Sequence, residues 1–220
     1  DDKAFLSKAK MLFKREDYSL YEMSQDALFN NDAKEEYNDF IAKKESLFEK
    51  EGFLVSDTSL YFNYNDFNDT TSYQSFEGGI VDVREQKGYN SIFSIKGEEL
   101  KEGSTYIARF WMCNNGKDFG QDYLNGMIFF NKKSDGKEEW IFPLTDARNG
   151  HNIHKNWSLV EVELTDVDKN FNYELFIKGP DRSKQYYYID DLLFYNKELD
   201  IYKLENQSLF HNNHKIDLAH

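Results

Sequence analysis

Apolar and polar residues alternate with two different periods along this chain, and the change falls near residue 52. Before it, apolar positions recur at helical spacing. Tyr37, Phe40, Ile41, Leu47 and Phe48, with Lys44 between them, line one face of a predicted helix. Asp32 and Glu35 fit a capping box ahead of it, and Gly52 fits a stop. An earlier charged segment, Asp2 to Lys14, carries Phe5, Leu6, Leu12 and Phe13, and Tyr18 to Phe29 gives a looser period through Leu20, Tyr21, Met23 and Leu28. Both are expected to be helical.

From about Ser56 the period becomes two, and aromatic or β-branched runs alternate with Asn, Asp and Gly clusters, the pattern of an all-β sandwich. Strands are expected over Leu60–Tyr64, Gly79–Val83, Ser91–Lys96, Thr105–Cys113, Leu124–Asn131, Glu138–Leu144, Trp157–Thr165, Tyr173–Lys178 and Tyr186–Tyr195. Asp135-Gly136 reads as a hairpin turn with positive φ, and Gly179-Pro180-Asp181 closes another strand. Pro143 lacks a donor and predicts an edge or a bulge for its strand. Within Thr105–Cys113, Tyr106, Ala108, Phe110 and Met112 form the expected core face. Ile107, Arg109, Trp111 and Cys113 fall on the other, which needs a covering element or a ligand. The division expected is a helical segment 1–55, a sandwich 56–198 and a C-terminal tail 199–220 that docks on the helices or frays.

The last predicted strand poses a charge problem. Asp190 and Asp191 interrupt an aromatic run from Tyr186 to Tyr195. A buried carboxylate is costly unless a cation or dense hydrogen bonds compensate it.

Composition narrows the partners. With 40 acidic and 27 basic residues the formal charge is −13, which argues against nucleic acid and against an anionic membrane surface. An aromatic fraction of 17% at 30% charge argues for a folded domain rather than an acidic tail. Cys113 is the only cysteine, so an intrachain disulfide and a multi-cysteine zinc site are excluded; a packed thiol is expected. No apolar run is long enough to span a bilayer. Without a starting Met or a signal-peptide pattern, the chain reads as a processed product or a piece of a larger protein.

The β region resembles the jelly-roll carbohydrate-binding modules with a galactose-binding-like fold that accompany xylanases and glucanases. Gly103-Ser104-Thr105-Tyr106 leading to Phe110-Trp111 is similar to their core strand after a glycine turn, and Trp157 with Val160 and Val162 to a later strand. Tyr188-Ile189-Asp190-Asp191-Leu192-Leu193-Phe194 resembles their closing strand, where an aspartate commonly holds a structural calcium. Together the motifs run from about Leu60 to Glu198. The resemblance implies an antiparallel two-sheet β-sandwich of jelly-roll type and a bacterial, extracytoplasmic setting.

It also implies calcium at Asp191, with partners from Asn65-Asp66-Phe67-Asn68 and the following Asp69, or from Glu77. Asn68 and Asp69 are favoured by position, although Asn replaces the family's Glu, and charged oxygens set calcium affinity. Because adjacent strand residues point to opposite faces, only one of the two aspartates is expected to serve.

Candidate glycan contacts are Trp111, Tyr123 and Trp140 as stacking rings, with Arg109, Asn125 or Asp122 bonding hydroxyls. The competing reading is that these rings pack against loops or the N-terminal helices. His151 and His154, and likewise His211 and His214, have an H-x-x-H spacing but lie in Asn-rich stretches and read as exposed polar surface. No nucleophile motif, phosphate loop or metalloprotease helix is present, and no carboxylate pair stands out for glycosidase chemistry. The sequence therefore predicts a non-catalytic binding domain. A structural or protein-interaction sandwich is the alternative.

Overall fold

The computed structural model describes residues 10–14, 19–22, 25–67, 81–83, 89–114, 127–141, 153–154, 157–178, 187–205 and 208–216. The strands run β1 Lys10–Lys14, β2 Ser19–Glu22, then after helix α1 (Gln25–Lys43) β3 Phe48–Lys50, β4 Phe53–Val55, β5 Phe62–Asn65 and β6 Val81–Val83. They continue as β7 Tyr89–Lys96, β8 Tyr106–Asn114, β9 Met127–Ser134, β10 Lys137–Ile141, β11 Ile153–His154, β12 Trp157–Leu164 and β13 Asn172–Lys178. The chain closes with β14 Tyr187–Asn196, β15 Ile201–Glu205, β16 Ser208–His211 and β17 His214–Ile216.

Two antiparallel sheets make the sandwich. One has the order β10-β9-β13-β7; the other has β11-β12-β8-β14-β5, with β6 also pairing β14. Their facing sides share one core, including Phe110 and Met112 of β8, Ile128 and Phe130 of β9, Val160 and Val162 of β12, Leu175 and Ile177 of β13, and Leu192 and Phe194 of β14. The predicted core face of β8 is the observed one. All nine strands expected between residues 60 and 195 are found, with ends moved by up to a few residues. Ser134 and Lys137 pair across a two-residue turn in which Gly136 has φ +72°. β10 lies at a sheet edge and runs Lys137–Ile141; Pro143, on which the edge expectation rested, is outside the described residues.

The rest of the chain departs from the expected helical segment and tail. β1 and β2 pair in place of an N-terminal helix. Helix α1 begins at Gln25, so Asp32 lies inside it rather than capping it. Gly52, with φ +82°, turns a tight β3–β4 hairpin instead of ending a helix. That hairpin joins β15, β16 and β17 in a five-stranded sheet, order β17-β16-β15-β4-β3.

One side of this third sheet packs on the back of the sandwich, bringing Phe53, Val55 and Ile201 against Ile107, Leu193 and Tyr195. Its other side takes α1 through Phe40, which packs with Tyr202, Leu209 and Ile216. The covering element that the back face of β8 required is thus the chain's own third sheet.

Candidate functional site

The predicted ring platform splits between opposite sides of the sandwich. Trp111 and Arg109 sit on the back of β8, under the third sheet. Trp111 is 1% exposed, and its indole Nε1 donates to the Asn213 carbonyl at 3.2 Å. The Arg109 guanidinium bonds Glu161 Oε2 at 2.6 Å through Nε and the Asn212 carbonyl at 3.0 Å through Nη1. Trp111 is closed to a sugar ring and is corrected from a ligand contact to a packing residue; the Arg109 side chain remains 24% exposed but is tied to Glu161 and Asn212. Tyr123, Asn125 and Asp122 lie outside the described residues.

Trp140 is different. It points away from the sandwich core on β10 and is 39% exposed. Its floor is Phe129, 5.1 Å away and edge-on, and Phe176, at 5.9 Å; these two rings stack on each other at 5.7 Å. The period of two puts them on this face, since their neighbours Ile128, Phe130, Leu175 and Ile177 all face the core.

Polar groups share that face. Register places Asn131 between Trp140 and Glu174. The Asn131 amide nitrogen donates to Glu138 Oε1 at 2.9 Å, while its buried Oδ1 has no hydrogen-bond partner. Lys133 reaches Glu174 at 3.5 Å and Glu138 at 3.8 Å. A half-exposed indole on a rigid aromatic floor, ringed by amide, carboxylate and ammonium groups, can stack on one face of a pyranose and bond its hydroxyls. None of these neighbours was singled out by sequence. The signal was available: the Asp135-Gly136 turn fixes Ser134 opposite Lys137, which sets Asn131 opposite Trp140.

The tandem aspartates lie at a β-bulge. β14 pairs Asp190 with Trp111 and then Leu193 with Arg109, so two residues of β14 oppose Phe110 alone. Ile189 and Leu192 both face the sandwich core, with Asp190 and Asp191 between them in sequence. Asp191 adopts φ +49°, a left-handed conformation that costs about 1 kcal/mol in a non-glycine residue. Asp190 Oδ1 accepts the Asp191 backbone proton at 2.9 Å. Asp191 Oδ1 accepts the Tyr64 hydroxyl proton.

β5 runs alongside, with Asn65 opposite Leu192, so the opening motif does lie beside the aspartates. Asn68, Asp69 and Glu77 are outside the described residues. Lys203 Nζ sits on the Tyr64 hydroxyl at 2.9 Å, and Lys203, Tyr64, Asp191 and Glu205 line one small space. Among the described residues, no group of three or more His, Cys, Asp or Glu side chains could hold a metal ion.

The histidines of β16 and β17 are not surface decoration. His211 and His214 face each other across the Asn212-Asn213 turn. They approach Glu36 of α1 at 3.8 and 3.6 Å. His211, then His214, hold the Glu36 carboxyl down at about 2 against its burial. His211 also meets Asp200 at 3.4 Å and stacks on Tyr202. His151 and the side chains of His154 and Cys113 are outside the described residues.

Fold and surface together define the class: an antiparallel β-sandwich with a covered back face and an aromatic outer face. No protein-family model matches the chain, and no curated protein matches it. Among solved structures it is similar to the N-terminal endo-1,4-beta-D-xylanase 10B of Clostridium thermocellum, its CBM22-1 and GH10 modules complexed with xylohexaose, at 16% identity and a TM-score of 0.34. That match covers 66% of this chain and 26% of the xylanase, so the chain spans about a quarter of that protein. It is also similar to the C-terminal domain of EclA, a sugar-binding protein, at 10% identity and a TM-score of 0.29, over 57% of this chain and 83% of that one. No described helix is long and apolar enough to cross a membrane.

Proposed function

We propose that this chain is a non-catalytic, carbohydrate-binding-module-like domain of a larger extracytoplasmic protein, and that it binds glycan on the outer face of the β10-β9-β13-β7 sheet. The observation that carries the reading is Trp140, a large ring left 39% exposed on a floor of Phe129 and Phe176. Asn131, Glu138, Lys133 and Glu174 supply the donors and acceptors around it. The motifs shared with jelly-roll modules and the acidic surface, poorly suited to nucleic acid, support the same reading.

Isothermal titration against a panel of neutral and acidic oligosaccharides tests it. One class should bind, and Trp140→Ala should reduce that affinity at least tenfold, the loss of about 1.4 kcal/mol or more expected for a stacked ring. Silence across the panel removes the proposal. It then favours the competing reading, a structural or protein-interaction sandwich. Burial of Trp111 beneath the chain's own third sheet already points that way for the opposite face.

A further inference from the structure

The closing strand of the sandwich buries two adjacent carboxylates, and among the described residues an ammonium approaches one of them from outside the sandwich. Asp190 is 0% and Asp191 4% exposed. The Tyr64 hydroxyl donates to Asp191 and accepts from Lys203 Nζ at 2.9 Å, which places an ammonium one hydroxyl away from the carboxylate. The ammonium stands 4.5 Å from the centre of the Tyr64 ring and 5.9 Å from that of Phe53, and it pairs with Glu205. Asn213 donates to the Asp191 main-chain oxygen, so the bulge is held from the same sheet that brings Lys203. The remaining space is about 10 Å³, close to the minimum for one water.

We infer that Lys203 is the resident cation of this site: its ammonium, carried on β15, neutralises Asp191 through Tyr64 and takes the role a structural metal ion would otherwise fill. Three arguments converge on this. A hydroxyl that accepts from an ammonium and donates to a carboxylate is polarised in one direction along its whole length. A calcium ion needs 6–8 oxygens at about 2.3–2.6 Å, and here it would face a like charge in a space of water size. Burial, reinforced by Asp191, also pushes the Tyr64 hydroxyl far above the ordinary tyrosine range, which keeps the bridging proton in place. The consequence is that the sandwich needs its C-terminal strands where another would need a divalent ion.

Thermal melts of the intact chain in millimolar calcium and in chelator, together with Lys203→Met, Asp191→Asn and the double variant, test this. The wild-type midpoint should be the same in both buffers. Each single variant should melt about 5–10 °C lower, and the double variant should lose clearly less than the sum. If Lys203→Met does not fold, Lys203→Arg keeps the charge and should stay within a few degrees of wild type and remain indifferent to calcium. A wild-type midpoint raised by calcium, with the increment abolished in Asp191→Asn, overturns the assignment. Additive losses in the double variant overturn it as well.

Discussion

Asn213 is the residue on which the third sheet hangs. Its amide donates to the Arg109 carbonyl at 3.2 Å and to the Asp191 carbonyl, and its own carbonyl accepts from Trp111. Its backbone sits at φ +67°, beside Asn212 at +46°, which makes a two-residue turn that asparagine tolerates and alanine does not. Replacing Asn213 by Ala removes both amide donors and leaves two main-chain oxygens short of a partner, at about 1–2 kcal/mol each. It also replaces a residue that tolerates the left-handed region by one that does not, at a further cost of about 1 kcal/mol. The sum is about 3–5 kcal/mol, a large fraction of the stability of an ordinary domain. Asn213→Gly loses the same donors but not the backbone fit, so it should be milder by about 1 kcal/mol.

Urea unfolding followed by tryptophan emission reads both terms, because Trp111 reports directly on the covered face. With a slope of about 2.5 kcal/mol per molar, Asn213→Ala should lower the midpoint by about 1–2 M and Asn213→Gly by somewhat less, at unchanged slope. Midpoints of both variants within about 0.2 M of wild type would refute the claim that the turn anchors the sheet. Equal losses in the two variants would leave the amide contacts standing and remove the backbone part of the argument.

The Glu36 clamp predicts an acid limb. A carboxyl depressed to about 2 adds stability that is complete above its ordinary value of 4.5 and is lost as pH falls between the two. Glu36→Gln should therefore flatten the fall of the urea midpoint over that window, and an unchanged pH profile would show that the imidazoles do not hold α1. At Gly97 a β-carbon would come within 2.1 Å of the Phe171 carbonyl oxygen, with those of Lys169 and Asp168 close behind. Gly97→Ala should cost about 1–3 kcal/mol by forcing that main chain apart, and a melt at the wild-type temperature would contradict the packing described.

The sandwich was legible in the sequence because its main strands, β7, β8, β9, β12, β13 and β14, are long enough to show their own period, and because Asp135-Gly136 names its turn. The third sheet was not. β3 and β4 have three residues each, separated by Glu51-Gly52, and follow a run rich in Lys and Glu that favours helix, so Leu47 and Phe48 read as one more helical turn. β4 owes its state to pairing with β15, and β3 to pairing with β4, rather than to a pattern of their own. In β15 itself, Ile201 packs toward the sandwich and Tyr202 toward α1, so successive residues are both buried and no alternation survives. The one local signal was Asn212-Asn213, a turn dipeptide between two short apolar segments.

The candidate site divides the same way. Exposure of Trp140 follows from a hairpin register that the sequence states, whereas burial of Trp111 depends on a sheet that it hides. The tandem aspartates show the reason most sharply. Their position in an aromatic strand demands a counter-charge, and that demand is local and readable. The bulge that takes them out of step with their neighbours exists because Ile189 and Leu192 must both face the core. The ammonium that answers them stands on a separate strand, in register with Phe210 and not with anything in the sandwich. A period of two can say that a charge is misplaced in a strand, but the partner that stabilises it is fixed by which sheets stack, and stacking leaves no spacing to read.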